Sequence, residues 1–235
     1  MVGGDGLPPE TDATSIIAAA FRPLAGKRLL DVGCGAGALA RSLSDRGARV
    51  VGVDPNAEVL ALARKAVPTG TFHQAGAEAL PFADGSFDGV IFLNSLHHVP
   101  ERAMRRALEE AARVVQPARS IVVVEPLAEG SFFSALCPVE DETDVRTAAQ
   151  ETLRWALQGG AFEQLRRVDY NRLEHFEGLD QFLSRVVAVD PARAAVAAER
   201  RTEVEAAFQH HAQVAADGRM TLEQPMCAHV LRANA

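Results

Sequence analysis

The 235-residue sequence is poor in cysteine and has no long apolar run. Its three cysteines, Cys34, Cys137 and Cys227, are odd in number and far apart, which argues against a disulfide framework and a paired-cysteine zinc site. No group of His, Cys and carboxylate residues has recognisable metal spacing, so no metal is expected. No apolar run approaches the roughly 20 residues that span a bilayer, and the start MVGGDGLPPETDAT lacks the pattern of a secretory signal. These absences predict a cytoplasmic protein without a membrane partner.

The sequence also lacks an excess of basic residues. Lys and Arg number 24 against 31 Asp and Glu, which gives a net charge of −7. Such a surface repels phosphate backbones, so we expect a small-molecule substrate and no nucleic-acid partner. A chain of this length can bury one sizeable core, and we predict a single domain over residues 1–235, present as a monomer or a homodimer.

Short apolar runs alternate with helical spacing through the first half of the chain. The segments KRLLDVG, ARVVGVD, GTFHQA, FDGVIFLN and SIVVVEP are typical of buried strands, and the segments between them are typical of helices or loops. This alternation predicts an α/β fold with a doubly wound, mostly parallel sheet covered on both faces. A final strand is expected within MTLEQPMCAHVLRA. No internal repeat is visible.

The stretch LLDVGCGAGALA places three glycines where the first strand gives way to the first helix. A glycine-rich turn there lets the backbone approach a ligand at the carboxyl ends of the strands. The spacing of Gly33, Gly35 and Gly37 differs from the dinucleotide fingerprint, and the P-loop lysine is absent. Asp31 adds a carboxylate that suits an ammonium group better than a pyrophosphate. The turn therefore predicts a nucleotide-like ligand that carries an amine.

From Leu29 to Pro126 the sequence resembles the class I S-adenosylmethionine-dependent methyltransferases, in their small-molecule, type 11-like branch. The segments LLDVGCGAG, VVGVD and AEALPFADGSFDGVIFLNSLHHV match that family's motifs in order. The resemblance implies a Rossmann-like sheet, S-adenosylmethionine as cofactor and S-adenosylhomocysteine as product. The cofactor-binding residues that it implies are Asp31, Gly33, Cys34, Gly35, Gly37, Asp54, Pro55, Ala77, Glu78 and Asn94.

Individual roles follow from the resemblance. Asp31 would lie near the cofactor's amino group, Asp54 would accept from the ribose hydroxyls, and the Ala77–Glu78 pair would lie at the adenine. Asp54 could also cap the following helix, and both roles can coexist. The family usually has an acid where this chain has Gly76. A KPGG turn is replaced here by QPARS, which alters a surface turn more than the site.

The pair His97-His98 is the best catalytic candidate in the sequence. On an extended segment adjacent side chains point in opposite directions, so at most one histidine is expected to face the site as a general base. The acidic run EDETD, Glu140 to Asp144, could hold a metal or a cationic substrate, but such runs are usually solvated loop or helix-start residues, which is the expectation here.

The second half of the chain is expected to supply substrate specificity. The cofactor core is predicted over residues 24–126, and helical insertions at 127–145 and 176–215 are expected to form a lid or a dimer contact. Three functions compete: a small-molecule methyltransferase, which leads, an NAD-dependent oxidoreductase on a similar fold, and a non-catalytic S-adenosylmethionine-binding protein. The glycine spacing disfavours the second, and the acceptor atom is left open.

Overall fold

The computed structural model describes residues 12–216 and 218–234. Its helices and strands alternate over the first half, as the apolar runs predict. In chain order they are α1 (Ala13–Ala20), β1 (Arg28–Val32), α2 (Ala38–Ser44), β2 (Arg49–Asp54), α3 (Ala57–Ala66), β3 (Thr71–Gln74), β4 (Phe87–Leu93), a short 3₁₀ helix (Leu96–His98), α4 (Glu101–Val114), β5 (Val115–Pro126), α5 (Ser131–Leu136), α6 (Thr143–Gln158), β6 (Phe162–Phe176), α7 (Leu179–Val189), α8 (Arg193–Glu199), α9 (Arg201–His211), β7 (Gln213–Val214) and β8 (Met220–Ala233).

The strands form one sheet in the order β3-β2-β1-β4-β5-β8-β6, and β7 pairs with β8. The first five strands of that order are parallel to one another. The C-terminal strands are antiparallel. The predicted α/β class with a mostly parallel sheet and a final antiparallel strand is therefore confirmed, and β6 adds a second long C-terminal strand.

The central strands are buried on both faces, which explains their continuous apolar character. Leu29 and Leu30, neighbours on β1, are each 0% exposed although their side chains point to opposite faces. On one face, Leu30, Val90 and Ile121 share a core with the apolar sides of α4 and α6. Because the sheet is fixed on both sides, the loops at the carboxyl ends of its strands are held on a rigid base.

Two compact units divide the chain. The first comprises the residues up to Glu125, Ala148–Val168 and the residues from Cys227 onward, and the second comprises Pro126–Thr147 and Asp169–Met226. The second unit has its own core, built around the aromatic rings of Phe132, Phe176, Phe182 and Phe208. The single-domain expectation and the 24–126 boundary of the cofactor core stay predictions.

The acidic run Glu140–Asp144 differs from its expectation. Glu142 is only 4% exposed and is held between the guanidinium groups of Arg146 and Arg193. Asp141 accepts from the backbone N–H and the hydroxyl of Thr143 at the start of α6. The expectation of a solvated run was wrong for Glu142, because two arginines neutralise its charge inside the second unit.

Among the residues that the structure describes, no helix combines the length and the apolar character needed to cross a membrane.

Candidate functional site

The three glycines after β1 lie in left-handed backbone conformations, with φ of +73° at Gly33, +50° at Gly35 and +84° at Gly37. A Cβ on Gly33 would lie 2.5 Å from the Cβ of Ser95, and one on Gly37 would lie 3.1 Å from the Cβ of Ala63. A Cβ on Gly35 would meet nothing within 4 Å. Packing therefore requires a glycine at position 33 and leaves little room for a side chain at position 37, whereas Gly35 faces open space that a ligand can enter.

Backbone hydrogen bonds fix this turn to the end of β2. The N–H groups of Gly33 and Cys34 donate to the carbonyl oxygen of Val53 at 2.8 and 3.0 Å. The N–H of Gly35 donates to Oδ2 of Asp54 at 3.0 Å, and Oδ1 of Asp54 accepts from the N–H of Asn56 at 2.9 Å. An ionised carboxylate has about four acceptor positions, so Asp54 retains capacity for further donors.

Helix α3 is capped by Asn56 and not by Asp54. The side chain of Asn56 accepts from the N–H of Glu58 at 2.9 Å, which satisfies one of the free amides of the first turn. Asp54 is thus oriented by the turn and free of the cap, which leaves the predicted ribose role compatible with the structure.

Asp31 is buried at the end of β1 without full compensation. Asp31 is only 2% exposed, and its Oδ2 has no hydrogen-bond partner. Burial raises the pKa of this carboxyl from 3.8 to about 7, and the nearby charge of Asp54 contributes further. A buried acceptor without a donor is rare in proteins, and a cationic ligand is one partner that would satisfy it.

Asn94 immediately follows β4, the neighbour of β1. Its φ of +53° is a left-handed conformation, which asparagine tolerates better than most residues. Its N–H donates to the carbonyl oxygen of Val124 at 2.8 Å, and its Oδ1 is buried without a partner. The first unit therefore brings two unpaired side-chain oxygens, on Asp31 and Asn94, to the carboxyl ends of adjacent strands.

The predicted adenine residues lie in the loop after β3. Ala77 is buried at 7% exposure, whereas Glu78 is exposed. A Cβ on Gly76 would lie 2.5 Å from Oε1 of Glu78, so this chain's departure from the family's usual acid leaves room for the Glu78 carboxylate. Pro55, which follows β2, accepts a hydrogen bond on its carbonyl oxygen from Nε2 of Gln74 at 2.9 Å.

Cys34 packs as a small apolar residue, as the sequence predicts. It is 8% exposed, and burial, reinforced by Asp31 and Asp54, raises the pKa of its thiol well above the usual range. A thiol held neutral in this way is a poor nucleophile.

The two histidines lie on a 3₁₀ helix and not on an extended segment. Their ring centroids are 4.1 Å apart at an interplanar angle of 42°, so the expectation that they point in opposite directions was wrong. Adjacent side chains are about 120° apart in a 3₁₀ helix and about 180° apart along a strand, so the two rings can approach each other here. His97 is buried and His98 is exposed.

Glu125 at the end of β5 was not among the residues predicted from the sequence. It is 1% exposed, and its Oε1 accepts from the N–H groups of Ser95 at 3.1 Å and Leu96 at 2.8 Å. Its Oε2 lies against Nδ1 of His97 in a short hydrogen bond. The available signal was a single carboxylate at the end of the apolar run SIVVVEP, where a charge needs buried partners.

Residues 30–123 match the protein-family model described as Methyltransferase domain. The chain is 42% identical over 121 residues to a ubiquinone biosynthesis O-methyltransferase of Sodalis glossinidius, covering 48% of this chain and 43% of that protein. It is 38% identical over 101 residues to a demethylmenaquinone methyltransferase of Chlorobaculum parvum, covering 43% and 41%. The alignments thus span less than half the length of these relatives.

The fold is similar to a solved structure over nearly the whole chain. The YcgJ protein of Bacillus subtilis aligns with a TM-score of 0.67 and 20% sequence identity, covering 94% of this chain and 98% of that one. At this level of identity, the similarity concerns the fold alone.

Proposed function

Since residues 30–123 belong to the methyltransferase domain family, we propose that the chain transfers a methyl group from S-adenosylmethionine to a small organic acceptor. One observation carries the proposal. An open face at Gly35 lies in the turn between β1 and α2, at the strand ends where Asp31 and Asn94 each hold a buried oxygen without a partner. S-adenosylmethionine has an ammonium group that supplies the missing donors, and the family uses this cofactor.

The residues present fit the cofactor's parts. Asp31 and Asn94 would accept from the amino-acid end, while the backbone at Gly35 would lie against it. Asp54, which retains free acceptor positions, would bind the ribose, and the loop at Ala77 and Glu78, with Pro55, would hold the adenine. When bound, the cofactor supplies a methyl carbon activated by its sulfonium. The chain's task is to hold the acceptor in line with that carbon and to exclude water.

A base is useful where the acceptor is a hydroxyl or a protonated amine. His97 and His98 lie on the 3₁₀ helix that follows β4 and Asn94, and either ring could take the proton. The relatives named for ubiquinone biosynthesis and for demethylmenaquinone support a small organic acceptor. The net negative charge of the chain supports a neutral or cationic one.

The two other functions that the sequence leaves open make different predictions. An NAD-dependent oxidoreductase would bind NAD, and a non-catalytic protein would bind S-adenosylmethionine without turnover. Calorimetry with S-adenosylmethionine, S-adenosylhomocysteine and NAD separates the first possibility from methyl transfer. We expect the first two ligands to bind and NAD to give no heat.

The Asp54→Ala variant tests the assignment of the ribose. Loss of a charged acceptor for the ribose hydroxyls is expected to weaken S-adenosylhomocysteine at least about tenfold. Circular dichroism and thermal unfolding show whether the turn stays folded without its bond to Gly35. A folded variant that binds as tightly as the parent would show that Asp54 does not hold the ribose.

A further inference from the structure

The carboxylate of Glu125 is surrounded by three donors from one turn. Two are the backbone N–H groups of Ser95 and Leu96, and the third is Nδ1 of His97. All four residues are buried, so none of these donors can turn to water instead. Ser95 adds a further anchor, because its hydroxyl donates to the carbonyl oxygen of Val32 at 2.6 Å. The turn after β4 is therefore tied to the ends of both neighbouring strands, β5 and β1.

This arrangement fixes more than the backbone. An ionised carboxylate only accepts hydrogen bonds, so Nδ1 of His97 must carry the hydrogen of the neutral ring. The other nitrogen, Nε2, then carries the lone pair of the neutral ring. The same turn begins with Asn94, whose left-handed conformation and buried oxygen belong to the proposed cofactor site.

We propose that Glu125 is a positioning residue, which holds His97 in the tautomer with its lone pair on Nε2 and holds the Asn94 turn in its ligand-binding conformation. The use of that lone pair as a base rests on the proposed methyl transfer, whereas the tautomer does not. If Glu125 served only to cap the 3₁₀ helix through Ser95 and Leu96, replacing its carboxylate by an amide would leave the tautomer of His97 unchanged.

The Glu125→Gln variant separates these two roles. The amide oxygen of glutamine can still accept from the two backbone N–H groups, which preserves the turn. Its NH₂ group then faces Nδ1 of His97 and can only donate, so the ring must move its hydrogen to Nε2. The Glu125→Ala variant removes both functions and serves as the comparison.

The tautomer is read by nitrogen-15 NMR of the full chain labelled at histidine rings, with the signals of His97 assigned by their loss in His97→Gln. In the parent we expect Nδ1 to be protonated and Nε2 unprotonated, and in Glu125→Gln we expect the reverse. Unchanged signals in Glu125→Gln, or a protonated Nε2 in the neutral ring of the parent, would overturn the proposal.

Calorimetry with S-adenosylhomocysteine tests whether Glu125 holds the Asn94 turn in its ligand-binding conformation. Glu125→Gln is expected to bind within about threefold of the parent, and Glu125→Ala at least about tenfold more weakly, because two buried N–H groups lose their acceptor. Equal binding by the parent and the alanine variant would refute the role in the turn. If the parent itself fails to bind, the proposed function is wrong, and the NMR result still decides the tautomer. If the alanine variant does not fold, the reversal of the tautomer in Glu125→Gln carries the test of the proposal.

Discussion

The charge of Asp31 depends on its surroundings in a way that cofactor binding should change. Burial raises its pKa to about 7, with Asp54 as the second cause, so near neutral pH a large share of the free protein holds this carboxyl protonated. An ammonium group placed beside it favours the ionised form. Binding is therefore expected to release a proton at and below neutral pH, and affinity for S-adenosylhomocysteine should rise from about pH 6 to about pH 8.

Proton release is measured by calorimetry in buffers of different ionisation enthalpy. The Asp31→Asn variant, which cannot ionise, is expected to bind more weakly and to lose most of the dependence on pH. A parent whose affinity is flat over this range, or a variant with the same pH profile as the parent, would show that Asp31 does not meet the ammonium group.

Gly33 and Gly35 separate packing from binding within one turn. Both have positive φ, but only Gly33 would bring a new Cβ into collision, 2.5 Å from Ser95. Gly33→Ala is therefore expected to lower the melting temperature clearly. Gly35→Ala carries only the backbone strain of about 1–2 kcal/mol and should fold, yet its methyl group occupies the open space and should weaken S-adenosylhomocysteine.

Thermal unfolding measures the melting temperature of Gly33→Ala and Gly35→Ala, and calorimetry measures their affinity for S-adenosylhomocysteine. Gly35→Val extends the series with a larger, β-branched side chain and is expected to abolish binding. Full affinity in a folded Gly35→Val would remove the glycine turn from the site.

At the scale of elements, the start of α6 depends on one buried carboxylate. Glu142 accepts from Arg146 at 2.5 and 2.8 Å and from Arg193 at 2.5 Å. Its removal leaves two guanidinium groups without this partner in the interior, and breaking a buried pair in this way costs about 3–5 kcal/mol. Glu142→Ala should therefore lower the free energy of unfolding of the second unit by about 3–5 kcal/mol, as measured by denaturant unfolding.

Glu140→Ala is the matched control. Glu140 also pairs with Arg193, but its side chain is 44% exposed, so the loss should stay near or below about 1 kcal/mol. Equal effects of the two substitutions would contradict the assignment of Glu142 as the centre of this network.

Glu142 and Glu125 show which features of the elements a sequence pattern cannot predict. The strands KRLLDVG and SIVVVEP were predictable because their signal is local: a short apolar run bounded by turn residues. The burial of Glu142 depends on Arg193, which lies 51 residues away, and the role of Glu125 depends on groups about 30 residues away. Nothing in a local pattern reports such partners. The 3₁₀ helix at His97 was missed for a related reason, since three residues are too few to display a period.

For the molecule as a whole, the LLDVGCGAG and LPFADGSFD segments predicted the resemblance to the methyltransferase family, and residues 30–123 match the family model described as Methyltransferase domain. The α/β class was equally predictable, because alternation of buried strands and helices admits few other arrangements. The roles of single residues are a different matter. Asp54 and Glu78 stay predictions, since a motif names residue types at positions, and only a bound ligand tests what they contact.

The second unit carries the last prediction. The segments AEGSFFSALC and LDQFLSRVV lie in it, and their Phe132 and Phe182 are committed to its aromatic core. Val189, at the end of α7, is 51% exposed and stays available for a further contact.

If AEGSFFSALC and LDQFLSRVV form a lid, hydrogen exchange in both segments should slow when S-adenosylhomocysteine is added at constant protein concentration. If they form a dimer contact, exchange should slow as protein concentration rises, with or without ligand, and sedimentation should show the larger species. Protection that responds only to concentration would refute the lid, and protection that responds only to ligand would refute the dimer contact.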